Sequence, residues 1–224
     1  MYNRILEDLK TKVMDMKEIV RNSYNNDRYH YVEEMMQDKL DEILSLLSTR
    51  TYKTKPYILY KEGHEGGETL EDVKGIVVPM LNGQECLIWP KYKTCQLLTE
   101  KSADKWNAPE RSEIEALRET TQRDSYFLLE TGGSPAMDFV RGFGEQWRLP
   151  TLPAAMEITA RKLEIDNLVR KIEGADLFGT QDFPGVWSAS RRGIYDAWYS
   201  NGGNGFAGGS NMYYWVLVVP CIIL

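Results

Sequence analysis

Two β-rich runs on either side of an Asn-Gly dipeptide constrain this chain more than any other feature. Residues 75–80 read GIVVPM, residues 84–89 read QECLIW, and Leu81-Asn82-Gly83 lies between them. Valine and isoleucine suit the pleated, half-buried surface of a strand, while Asn and Gly tolerate the positive φ of a tight turn. The pattern predicts an antiparallel hairpin. Pro79 has no N–H to give to a ladder, which puts the first strand at a sheet edge or on a bulge.

Helical periodicity lies on both sides of this hairpin. In front of it, Leu6, Leu9, Val13, Met16 and Val20 recur in steps of three and four, as in the seam of a coiled coil or a bundle helix. Residues 21–27 (RNSYNND) interrupt the pattern with residues that favour caps and turns. A second stripe follows at Val32, Met36, Leu40, Ile43 and Leu47. A continuous heptad would put Ser23 and Asp27 in core positions, so two helices or a helical hairpin fit better than one rod. Helices of this length are marginal alone in water. Their stripe must meet the rest of the chain or other copies of it, and both options stay open. Residues 1–50 are expected to be a helical oligomerisation or anchoring segment, with a trimer the favoured homo-oligomer. Residues 51–74 read as a linker carrying one short strand at Tyr57–Tyr60, punctuated by Pro56 and by Gly63, Gly66 and Gly67.

Behind the hairpin, residues 107–119 predict a helix with Ile114 and Leu117 on one face and Ser112 as its cap. Residues 154–172 predict another, with Met156, Ala160, Leu163, Leu168 and Ile172 as its stripe and Pro153 suited to the first turn. After Gly174 the chain returns to strand and loop. Residues 75–224 therefore read as an α+β domain.

Composition excludes several functions. The net charge of −6 gives a nucleic-acid partner no general electrostatic support. No apolar stretch reaches the roughly 18 residues of a membrane span, so no membrane insertion is expected. The first twenty residues are charged throughout, unlike a secretory signal, and the chain is expected to fold in a cytoplasm. Cys86, Cys95 and Cys221 lack metal-ligand spacing and cannot all pair within one chain; they read as buried thiols. His30 and His64 have no nucleophile motif nearby. The chain has no phosphate-binding loop, dinucleotide fingerprint or His-rich metal motif. Asp176 and Asp182 could be drawn as a glycosidase dyad, but 33 acidic residues offer many such coincidences. No catalytic residue, metal or cofactor is expected.

Four further signals follow in a fixed order: Trp147-Arg148-Leu149-Pro150-Thr151 before a helix, Val186-Trp187-Ser188-Ala189-Ser190, Ala197-Trp198-Tyr199 before a glycine-rich stretch, and Tyr213-Tyr214-Trp215-Val216-Leu217-Val218-Val219-Pro220. This series resembles the bacterial and phage branch of the C-type-lectin-like domains, found at the ends of collagen-like adhesins and in retroelement-diversified display proteins. The resemblance covers residues 57–224. It implies a C-type-lectin-like fold in which residues 213–220 form one closing strand. Val219 stands where the family often has Arg before Pro. The Glu-Pro-Asn, Gln-Pro-Asp and Trp-Asn-Asp signatures of calcium-dependent sugar binding are absent, and calcium needs six or more oxygen ligands. A large ring buries much area in a domain with little regular structure, so Trp147, Trp187 and Trp198 are expected in one core, with Trp215 less firmly assigned.

Binding is expected on residues 190–195 (SRRGIY) and on the long stretch 200–213 (SNGGNGFAGGSNMY), read as a loop without structure of its own. Tyr, Ser, Gly and Asn make adaptable binding loops, and Arg and aromatics carry most interface energy. The candidate residues are Arg191, Arg192, Tyr195, Asn201, Asn204, Phe206, Asn211 and Tyr213. The plainer alternative is a connection with no task beyond turning, beside a solvated Arg pair. A display domain works outside the cell, and lysis releases virion proteins that have no secretory pattern, so a bacteriophage virion fibre component is expected, of head or tail, touching other virion proteins and a host surface glycan or protein. The alternatives are an extracellular or cell-surface bacterial adhesin and an intracellular scaffold or regulatory module.

Overall fold

The Asn-Gly hairpin forms, with a three-residue loop. Strand β2 (Val73–Pro79) pairs antiparallel with β3 (Glu85–Ile88). Met80 N–H donates to Gln84 O and Gly83 N–H to Met80 O. Gly83 takes the left-handed conformation at φ +85°, as the last residue of a three-residue hairpin loop does. The computed structural model describes residues 55–178, 185–203 and 205–224. The expected N-terminal helices and the self-assembly assigned to residues 1–50 lie outside the described residues, as do His30, Asp182 and Asn204.

Lys55–Leu224 is one compact α+β unit. Strand β1 (Tyr57–Tyr60) runs along β2, so this short strand belongs to the unit itself. The first sheet has the order β1-β2-β3-β9, with β9 (Cys221–Ile223) antiparallel to β3. β2 is thus an inner strand and not an edge; the other expectation, a bulge, is met in its pairing with β1 between Leu59 and Tyr60, away from Pro79 itself. The proline is tolerated because β1 pairs only as far as Val77, leaving Pro79 at the strand end with one neighbour.

Among the described residues, six helices follow β4 (Lys93–Cys95): α1 (Glu100–Ala103), α2 (Glu113–Leu117), α3 (Arg123–Thr131), α4 (Pro135–Arg141), α5 (Leu152–Ala160) and α6 (Lys162–Val169). Ser112 caps α2 in a reciprocal box with Glu115, satisfying two orphan donors at once. The expected apolar face of this helix is not buried, however. Ile114 and Leu117 are exposed, and Ala116 faces inward. The single helix expected over 154–172 is two, broken at Arg161 (φ −104°, ψ 12°). Its buried stripe is Ala154, Ala155, Ile158, Ile165, Val169 and Ile172, while Leu163 stands 58% exposed. Thr151 caps α5, and Pro153 sits in its first turn. None of the described helices is long and apolar enough to cross a membrane.

The second sheet has the order β4-β8-β5-β6-β7, built with β5 (Val186–Arg191), β6 (Asp196–Ser200), β7 (Ala207–Asn211) and β8 (Val216–Val218). β8 pairs parallel with β5 and antiparallel with β4. The run 213–220, expected as one closing strand, therefore supplies only β8. Pro220 interrupts it, and Cys221 begins β9 in the other sheet. The change of sheet fits a residue with no N–H for a ladder.

The first sheet is buried on both faces, which explains the nearly unbroken apolar run of β2. Val77 and Leu87 join a core with Leu128, Met137, Trp147, Trp187 and Met212. Ile76, Val78, Cys86 and Ile88 face α5 and α6 in a second core. Trp147 and Trp187 share the first core, but Trp198 does not. It lies one residue from Tyr199, whose pairing partner is Trp187, so alternation turns it to the opposite sheet face. There it packs with Ala116 and Leu152, and its Nε1–H donates to Arg111 O at 2.8 Å.

Candidate functional site

The motifs named from sequence are physically joined. β5 carries a bulge between Trp187 and Arg191. Released from the ladder there, Ala189 N–H donates to Pro150 O at 3.1 Å. Ser188 Oγ donates to Trp198 O at 2.8 Å. Arg148 and Cys221 exchange backbone hydrogen bonds, tying the WRLPT turn to the last strand.

The glycine-rich stretch has structure of its own, contrary to expectation. Residues 207–211 form β7, paired along the whole of β6 from Asp196↔Asn211 to Ser200↔Ala207. The candidate residues therefore divide between the two ends of this hairpin. At about 3.3 Å per residue, the ends lie roughly 13 Å apart.

At one end, Asn201 N–H donates to Phe206 O at 2.8 Å and Gly205 N–H to Asn201 O at 2.7 Å. The Asn201 side chain is engaged by Gly203 N–H and by the Tyr199 hydroxyl. Phe206 and Leu81 border a shallow cavity of about 370 Å³ beside Met156 and Lys162 of the α5–α6 layer.

At the other end, the β5–β6 loop meets the β7–β8 loop. Met212, fully buried, anchors the junction: its N–H donates to Tyr195 O, and its carbonyl accepts from Leu97 N–H. The Tyr195 and Tyr213 rings stand 6.3 Å apart at 41°. The Tyr195 hydroxyl donates to Asp104 Oδ1 at 3.2 Å. Asn211 Oδ1 accepts from Tyr213 N–H, and Asn211 O accepts from Tyr214 N–H, which turns the chain outward. Desolvation, then Tyr195, Glu100 and Asp104, raise the Tyr213 hydroxyl above its ordinary pKa, so it stays neutral. Ile194, Tyr195, Tyr214 and Trp215 are exposed at this end, Trp215 by 65%. Sequence reading missed Ile194, Tyr214 and Trp215 as site residues. The signal for the last two is the aromatic triplet after the Asn211 turn, which lies within the run 213–220 expected as one closing strand.

Arg191 is not the exposed binding residue expected. Its Nη1 donates to Trp106 O and Ala108 O, its Nε to Gly193 O, and its Nη2 lies 3.4 Å from Glu110. Those contacts make it a brace. Arg192 is exposed, with its guanidinium 5.1 Å from the centre of the Trp198 ring.

Of the residues considered for catalysis, His64 and Asp176 are described, and they make separate contacts. His64 Nδ1 lies 2.8 Å from Asp72 Oδ1 in an exposed loop. The Asp176 carboxylate accepts from Lys91 Nζ and Tyr92 N–H. All three cysteines are buried, as expected. Among the described residues, no group of three His, Cys, Asp or Glu side chains is placed to hold a metal ion. Comparison of the chain with protein-family models, with curated proteins and with solved structures finds no match.

Proposed function

We propose that residues 55–224 are a non-enzymatic, C-type-lectin-like display domain that attaches a bacteriophage head or tail fibre to its host through the β5–β6 and β7–β8 loops. The lectin-like reading is supported by the sequence motifs and by their mutual hydrogen bonds: the WRLPT turn to the WSAS bulge, and WSAS to the AWY strand. It is also supported by the first and last strands of the unit lying in one sheet. In this reading residues 1–50 assemble the fibre or fix it to other virion proteins, with a trimer favoured.

The observation that carries the binding role is the exposure of Ile194, Tyr195, Tyr214 and Trp215 on two joined loops. Clustered large apolar side chains at a surface mark an interaction site, and Tyr and Trp dominate interface hot spots. Both loops start from sheet strands and are pinned by Met212, so little order is lost on binding.

The test is binding of fluorescently labelled full-length chain to a panel of intact bacterial cells. Trp215→Ala and Tyr214→Ala should each weaken binding about tenfold or more while leaving the thermal midpoint unchanged. Undiminished binding by both variants would exclude this surface.

A further inference from the structure

Cys86 on β3 and Cys221 on β9 are wholly buried, and their sulfurs lie 2.7 Å apart. That is well inside the roughly 3.5–4.0 Å at which non-bonded carbon atoms sit, and sulfur is the larger atom. In the ladder, Cys86 pairs with Ile223 and Ile88 with Cys221. The two cysteines are therefore diagonal neighbours on one sheet face, the face packed against α5 and α6. Closing from 2.7 Å to a covalent bond of about 2.05 Å moves each sulfur by only about 0.3 Å. Cys95 lies on β4, in the other sheet and in the other core.

We propose that Cys86 and Cys221 are a site of covalent cross-linking, an intramolecular disulfide that fastens β9 to β3 and leaves Cys95 as a free thiol. The bond would hold the last strand of the unit in its sheet. β9 is short, with β3 on one side and, among the described residues, hydrogen bonds to the Arg148 backbone and the Gln122 side chain on the other. It closes a loop of 135 residues, so it restricts the unfolded chain strongly.

The oxidant is a small disulfide such as oxidised glutathione. A thiolate of one cysteine attacks the glutathione disulfide, forming a mixed disulfide and releasing one glutathione. The second cysteine, having lost its proton to water, attacks the protein sulfur of that mixed disulfide and releases the second glutathione. Two protein thiols are oxidised, and one oxidised glutathione is reduced to two glutathiones. Burial, and then the Cys86 neighbour, push the Cys221 thiol well above its ordinary range, so exchange in the docked state is slow. The bond forms before β9 docks or when β9 frays, and once formed it resists reduction.

The experiment uses the full chain, refolded with excess oxidised glutathione and then labelled with N-ethylmaleimide in denaturant. Peptide mapping should find Cys95 labelled and Cys86 joined to Cys221, with all three cysteines labelled after reduction. The oxidised protein should melt about 5–10 °C above the reduced protein. Cys95→Ala should keep both results, and Cys221→Ala should abolish the redox-dependent shift. Should Cys221→Ala fail to fold, the peptide maps of the wild type and Cys95→Ala decide alone. Three labelled cysteines after oxidative refolding, a bond to Cys95, or a bond between chains would each overturn the proposal.

Discussion

Arg111 and Asp124 meet through two hydrogen bonds, Nε to Oδ2 at 2.6 Å and Nη2 to Oδ1 at 2.8 Å. Arg111 also lies 3.0 Å from Glu119. Its N–H donates to Arg191 O, and its carbonyl accepts from Trp198. One residue thus links the start of α3 to β5 and β6. The hydrogen bonding of the guanidinium to the Asp124 carboxylate is the largest cause of a raised Arg111 pKa, so the guanidinium keeps its charge at any working pH.

Asp124→Asn preserves shape but leaves the guanidinium without its main counter-charge. Removing one partner of a buried pair costs about 3–5 kcal/mol, and the partial exposure of Arg111 puts this case near the lower end, about 3 kcal/mol. The thermal midpoint should fall by about 6–12 °C. A fall under about 2 °C in calorimetry would show that the pair contributes little.

The two arginines of SRRGIY should separate in the same assay. Arg191→Ala strands the Trp106 and Ala108 carbonyls and loses charge-assisted bonds worth about 1.5–3 kcal/mol each before compensation. It should lower the midpoint by several degrees. Arg192→Ala gives up one cation–π contact of about 0.5–1 kcal/mol and should barely move it. Equal effects would contradict the bracing role of Arg191.

Gly185 combines φ +94° with a site where an added Cβ would lie 1.8 Å from Ser200 O. Both the backbone conformation and the contact exclude a side chain, and the contacting atom belongs to a sheet backbone that cannot move aside. Gly185→Ala should cost about 3 kcal/mol, measured by urea denaturation. A cost below about 1 kcal/mol would mean that the β5–β6 hairpin end rearranges freely.

Asp72 is held down to a pKa of about 2 from the ordinary 3.8, first by the His64 hydrogen bond and then by those from Thr69. A depressed value means the interaction is complete above about pH 4 and is lost as pH falls through 2. The Thr69 amide, which donates to Asp72 Oδ2, should report this in an NMR titration with a midpoint near 2. A midpoint at 3.8 would show that the loop contacts do not persist in solution.

The parts of the fold legible in sequence were local ones. The hairpin around Asn82-Gly83, strand Tyr57–Tyr60, the cap at Ser112 and the helix start at Pro153 each depend on a few neighbouring residues. The misread parts depend on distant partners. Nothing within residues 213–223 says that β8 will find β4 and β5 while β9 finds β3. The glycine-rich stretch gave no strand alternation because Gly208 and Gly209 carry no side chains. At Gly208 an added Cβ would fall 2.8 Å from the Tyr199 ring, whereas at Gly209 it would meet the long, exposed Arg192 side chain, which can move aside. Half the candidate site was recognisable as aromatic and glycine chemistry, but its division between two hairpin ends became visible only in the register of β6 with β7.

The order of strands also fixes when this unit can fold during synthesis. β8 fills the space between β4 and β5, and β9 completes the other sheet beside β3. A nascent chain whose residues 216–223 are still inside the ribosome has a gap in one sheet and an open flank on the other. Both sheets can close only after those residues emerge, so neither sheet is complete until the last stretch of the unit is available.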